Sequence, residues 1–244
     1  MARNVTEPYE PRASAIAEIG RWGPFFALAT HETGACLAVP WRPLRSLIDD
    51  PEALRGRAAE VRARLAAGNG REPGEVPMRA AASVAQLGLT ARLVSPVLGY
   101  AVLTGDVLDL SGAWWRPEFG AFPLSLPGRP RAGGDDVAEA VLDGPVRGLV
   151  EAARGLSVSG RVLWGNVASA INGAAAMIVR TRPDLAAAAT GLAARVLAHP
   201  RLRAAYDGSA GAFRRRSCCL IYQAGPPSAP RQLCGDCILA SDGH

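Results

Sequence analysis

The chain has 244 residues, 49% of them apolar and 20% charged, which excludes a disordered chain and fits an ordered globular protein of one domain or two intimate subdomains. Its net charge of +5 rests on arginine and steers anionic partners only weakly; apart from Arg214, Arg215 and Arg216 no basic cluster stands out, so nucleic acid is not an expected partner. Three histidines leave almost no material for a His-based catalytic or metal triad.

The first residues, "MARNVTEPYEPRAS", carry acidic groups and prolines where a secretory signal needs an apolar core, so a cytoplasmic location is expected. Residues 22–41 read as two apolar runs joined by a polar turn containing His31 and Gly34, which predicts a hairpin with Cys36 as a small buried hydrophobe. A helix follows, starting near Asp50 with Pro51 in its first turn and burying Leu54, Ala58, Val61 and Leu65. The Gly/Pro-rich stretch 68–77 is a connector, and 78–103 is a long apolar core helix that Pro96 should kink or divide. Short β-type runs over 106–127 predict one or two hairpins. The loop 128–136 is the best boundary between an N-terminal half, 1–130, and a helical half, 135–213.

The second half is expected to be helical to about residue 206, with Ser157 or Ser159 capping one helix and Pro183 and Asp184 opening another. The segment 162–179 has no charged residue, but Asn166, Ser169 and Asn172 make it too polar for lipid; a core helix fits better than a transmembrane segment. No glycine-rich phosphate loop occurs in the strand and helix context that nucleotide binding requires. His31 and His199 read as cap or surface residues, and the pairs Asp49/Asp50 and Asp135/Asp136 as helix-start acids rather than acid/base machinery. The fold class expected is α+β, mostly α-helical, with a few short β-hairpins and a C-terminal cysteine-rich metal-binding segment.

That segment, "RRRSCCLIYQAGPPSAPRQLCGDC" (214–237), holds Cys218, Cys219, Cys234 and Cys237. The Cys234-Gly-Asp-Cys237 turn aims two sulfurs at one metal with its own N–H groups toward them. Adjacent cysteines in an extended segment point to opposite faces, so Cys218 and Cys219 suit a centre of more than one metal atom better than a single ion. Gly225, Pro226, Pro227 and Pro230 should turn the chain back and bring the two pairs into one site of four cysteines. A zinc site, a [2Fe–2S] cluster and a disulfide pair are the competing readings, the last disfavoured in a reducing cytosol.

The same stretch resembles the C-terminal signature of the FhuF-like ferric siderophore reductases, where a basic pair precedes C-C, an aromatic follows and CGDC closes the motif. "VLWGNVASAING" (162–173) is similar to that family's Trp-x-Asn helix, and 78–103 followed by "GDVLDL" fits its middle section. Fourteen residues separate Cys219 from Cys234, against ten in the common form, and the excess falls in the Gly/Pro-rich turn, where added length costs little closure entropy. The resemblance implies a single domain, 1–244, with an iron–sulfur segment, 214–240, whose Cys218, Cys219, Cys234 and Cys237 ligate a [2Fe–2S] cluster. It implies one-electron reduction of a ferric siderophore in the cytosol, with electrons from an external donor such as a ferredoxin or flavoprotein. Arg214, Arg215 and Arg216 would then raise the cluster potential and attract an anionic partner, or form a solvated basic turn. A zinc-stabilised binding protein and a general [2Fe–2S] electron carrier are the alternatives.

Overall fold

The computed structural model describes residues 9–118, 123–127, 137–208, 213–228, 231 and 233–240. The protein is a mostly helical α+β fold. Helix α1 (Tyr9–Gly20) leads into a loop and strand β1 (Ala29–His31). Strand β2 (Arg42–Pro43) precedes the single turn α2 (Ser46–Asp49), and α3 (Pro51–Gly68) begins where the sequence says it should. The Asp50 carboxylate accepts the Glu52 N–H at 2.9 Å, and Pro51, which has no N–H to leave unsatisfied, occupies the first turn. Leu54 and Ala58 are buried while Val61 and Leu65 are half-buried, so the face is narrower than its periodicity suggests.

Helix α4 (Met78–Thr104) runs through Pro96 as one element and ends on Gly105 in the left-handed region, φ 80°. Pro96 therefore does not divide it: the helix is held on both sides by packed neighbours, which outweigh one missing backbone hydrogen bond. Strands β3 (Trp114–Trp115) and β4 (Leu124–Pro127) form the expected hairpin. Helices α5 (Val137–Leu142), α6 (Pro145–Arg154), α7 (Gly160–Thr181) and α8 (Ala186–Leu197) follow, then β5 (Tyr206–Asp207) and β6 (Arg214–Arg215). Ser159 caps α7 by accepting the Val162 N–H, and Pro183 and Asp184 lie in a short 3₁₀ turn before α8. The proposed boundary loop 128–136 lies outside the described residues.

The hairpin expected over 22–41 does not form. β1 pairs in parallel with β4, Ala29 opposite Ser125, in a sheet of order β1-β4-β3-β2. His31 is consequently a strand residue rather than a turn residue, its Nδ1 2.8 Å from Ser125 Oγ. Cys36 is exposed rather than buried, because the segment that carries it has no strand partner to cover it. Apolar content alone could not distinguish these outcomes.

Helices α4 and α7 lie along each other at the centre, with α3, α6, α8 and α1 around them, and one apolar core draws residues from Ala15 to Ala205. Both are long and apolar enough to cross a membrane, and both are mostly buried in this core. Gly99 on α4 lets the ring of Phe26 approach: a Cβ built there would stand 2.9 Å from Phe26 Cδ1 and 3.2 Å from Trp22 Cζ3. Gly99→Ala is expected to destabilise the fold by about 1–3 kcal/mol, read as a lower urea midpoint; an unchanged midpoint would show that the rings can retreat.

Candidate metal centre

The four clustered cysteines sit on two short segments tied to α7 and to each other. The β5–β6 pair, with Tyr206 opposite Arg215 and Tyr206 stacked on Phe213 at 5.3 Å, delivers the chain to Ser217. Ser217 Oγ donates to the Arg161 carbonyl at the start of α7 (3.0 Å), which anchors Cys218 and Cys219. The Arg215 N–H donates to the Asp236 carbonyl (3.1 Å), so the residue three before Cys218 is bonded directly into the CxxC turn. That turn is closed by the Cys237 N–H on the Cys234 carbonyl, 3.1 Å.

The intervening loop is described over residues 220–228, and Pro230, one of the turn residues expected, lies outside the described residues. Leu220 takes the left-handed conformation at φ 69°, unusual for a residue with a Cβ, and starts the 3₁₀ turn Ile221–Ala224. Arg71, from the connector after α3, donates through Nη1 to the carbonyls of Gln223, Ala224 and Gly225 at 3.2, 3.2 and 2.9 Å. Ala224 is buried against Ala66 and Val76. One guanidinium thus collects the free carbonyl ends of this turn and fixes where the loop departs.

Two of the sulfurs meet: Cys219 Sγ and Cys234 Sγ are 3.6 Å apart and share a hydrogen bond, while Cys237 lies close enough to Cys218 to help raise its thiol. Two thiolates on one tetrahedral metal with bonds of about 2.3 Å stand roughly 3.8 Å apart, so Cys219 and Cys234 already have the spacing of two ligands on one atom. Among the described residues no three His, Cys, Asp or Glu side chains close on a single point. All four thiols are free. Backbone N–H groups face the sulfurs: Leu220 N to Cys218 Sγ at 3.3 Å and Leu239 N to Cys237 Sγ at 3.4 Å.

Their protonation is divided. The hydrogen bond with Cys234, the Ile221 N–H and the Arg215 charge bring the Cys219 thiol down to about 6, so it is a thiolate at neutral pH. Burial pushes Cys218 up to about 11, and Cys234 is raised by its bond to the Cys219 thiolate and by burial. Ligation of a metal by these thiols would release the Cys218 and Cys234 protons.

Arg215 corrects the expectation of a solvated basic turn. Arg216 is half-exposed, 3.8 Å from Asp207, and Arg214 donates to the Ala240 carbonyl, but Arg215 is 1% exposed. Its Nη2 donates to Asn166 Oδ1 at 2.5 Å, and Nε and Nη1 are buried with no hydrogen-bond partner. Asn166 in turn donates to Ser83 and Gln86 of α4, and Gln86 to Thr90. Gly165 makes room for the crossing: a Cβ there would stand 2.4 Å from Ser217 Oγ and 3.2 Å from Arg215 Nη2. Asn166→Leu strands the buried guanidinium and two acceptors, and is expected to cost about 3 kcal/mol or more in urea unfolding.

No protein-family model matches this chain, and no curated protein matches it. The fit of a [2Fe–2S] group thus rests on the chain's own donors. Four thiols on two bonded segments, two of them 3.6 Å apart, N–H groups on the sulfurs, and a buried cation with two unsatisfied donors suit an all-thiolate, negatively charged, binuclear group.

Sequence reasoning missed Arg71, Ser169 and Asp236. The Ser169 hydroxyl of α7 is hydrogen-bonded to the Asp236 carboxylate inside the CxxC turn. An aspartate between the two cysteines was the available signal; nothing local pointed to its partner.

Proposed function

We propose that this chain is a [2Fe–2S] ferric siderophore reductase of the FhuF-like kind, which passes one electron to iron(III) held by an oxygen-donor chelate in the cytosol. The observation that carries this reading is the approach of Cys219 to Cys234, with Cys218 and Cys237 beside them in the same two segments, next to the buried, partly unsatisfied Arg215. When bound, the [2Fe–2S] group supplies one-electron redox chemistry, and the four cysteines would hold it. The chain's other residues need only place donor and acceptor: Arg216 offers a surface charge to an anionic chelate, and Leu233, Ile238 and Leu239 form an exposed apolar rim around the CxxC turn. Reduction of iron(III) weakens its hold on hard oxygen ligands, so the metal leaves without a general acid or nucleophile, in keeping with the scarcity of histidine. An external ferredoxin or flavoprotein supplies the electron.

The test is anaerobic purification with iron, sulfide and zinc analysis, EPR of the dithionite-reduced protein, and reoxidation by ferric hydroxamate and by cytochrome c in parallel. Iron and sulfide in equal amounts with faster reoxidation by the ferric chelate supports the reductase. A colourless protein with stoichiometric zinc refutes it, and equal rates with both acceptors identify a general electron carrier instead.

A further inference from the structure

A cleft of about 220 Å³ opens between α4, α7 and the loop after α1. Phe25 and Phe26 form one wall; Ala91 of α4 and Ala170, Gly173 and Ala174 of α7 form flat facing walls. No charged residue lines it, and the hydroxyls of Ser95 and Ser169 are its side-chain polar groups. The loop wall is held in place by Arg92, whose guanidinium donates to the carbonyls of Pro24 and Ala27, the latter at 2.9 Å. Phe26 is buried while Phe25 is 43% exposed at the mouth, so the cleft is both formed and accessible.

Its position gives it a role. Ser169 lines the cleft and is bonded to Asp236 between Cys234 and Cys237, so one side chain and one hydrogen bond separate the cleft from the CxxC turn. A cavity of about 150 Å³ accepts benzene, so this one has room for one or two fused rings but not for a whole iron chelate. Aromatic walls facing alanine and glycine favour a flat ring stacked on phenylalanine over a bulky aliphatic group.

We propose that this cleft binds an uncharged aromatic ring system of one or two six-membered rings and holds it against the cysteine site. The ring belongs either to an aryl arm of an iron(III) chelate or to a quinone-type electron carrier. The proposal rests on the reductase reading only for that source.

The experiment titrates 2-naphthol into the anaerobically purified protein by tryptophan fluorescence, since Trp22 packs edge-on against Phe26 at 5.7 Å. A Cβ at Gly173 meets nothing within 4 Å, so Gly173→Leu extends into the cleft rather than into a neighbour; Ala91→Leu fills it from the opposite wall. Saturable binding that weakens at least tenfold in both variants, with unchanged circular dichroism, is the expected result. Should one variant misfold, the other carries the test. No saturation in the wild-type protein, undiminished binding in a folded variant, or equal affinity for cyclohexanol and 2-naphthol overturns the proposal. Displacement of 2-naphthol by the iron(III) complex of 2,3-dihydroxynaphthalene assigns the ring to the chelate, and displacement by 1,4-naphthoquinone assigns it to a carrier. A protein that binds 2-naphthol yet holds no iron–sulfur centre keeps the cleft and loses the reductase.

Discussion

Cys234→Ser, purified anaerobically, is expected to lose the visible absorption and EPR signal of a [2Fe–2S] centre, its iron falling from about two atoms per chain to near zero. Cys234 is the partner of Cys219 at 3.6 Å and a member of the CxxC turn, so its loss removes one ligand and leaves the most acidic of the perturbed thiols without its hydrogen-bond partner. A serine hydroxyl is nearly isosteric but far less acidic than a thiol, so it does not replace the thiolate at neutral pH. Cys36→Ser is the control: Cys36 is exposed, away from the cluster in sequence, and its replacement should leave iron content and spectrum unchanged. Equal metal content in the two variants would sink the assignment of the centre to the C-terminal cysteines.

Arg215→Met is expected to act with different sign on the empty and the loaded protein. In the empty protein a buried cation with two unpaired donors gives way to an apolar side chain of similar length, which removes a desolvation cost. It also leaves Asn166 Oδ1 without its 2.5 Å donor, so the urea midpoint should stay within about 1 kcal/mol of wild type. In a protein loaded with the cluster the guanidinium would balance negative charge that grows on reduction. For any two unit charges roughly 8 Å apart at an effective dielectric near 20, the interaction is about 2 kcal/mol. That corresponds to a midpoint potential lower by on the order of 90 mV for one electron. Arg216→Met, at the exposed neighbour, should shift the potential far less, because solvent screens it. A potential unchanged in Arg215→Met would place the buried charge outside the electrostatics of the site and leave it a structural tie to α7.

These two residues differ in how readable they were. Four cysteines with CxxC at one end mark a candidate metal site from spacing alone, because the turn that bonds the Cys237 N–H to the Cys234 carbonyl is local. The role of Arg215 was not readable: within "RRRS" it is indistinguishable from Arg214 and Arg216. Its burial depends on Gly165 leaving space and Asn166 offering an acceptor, both on a helix some fifty residues earlier in the chain.

The same division runs through the fold. The start of α3 at Asp50 and Pro51 and the Ser159 cap of α7 followed from sequence, since each depends on residues a few positions apart that satisfy one another's hydrogen bonds, and the pairing of β3 with β4 joins runs only about ten residues apart. The partner of β1 did not follow. It lies nearly a hundred residues away in β4, and the apolar runs of 22–41 offered a nearer partner that the backbone does not use. Nor was the unbroken passage of α4 through Pro96 visible, for it depends on the helices packed around it. The sequence alone therefore determined where α3 and α7 start, with their caps, and which cysteines are the candidate ligands, all products of short-range hydrogen bonding and spacing. Tertiary structure decided that Cys219 meets Cys234, which arginine is buried beside them, and that an apolar cleft opens one hydrogen bond away, because each requires surfaces from distant segments to exclude water together.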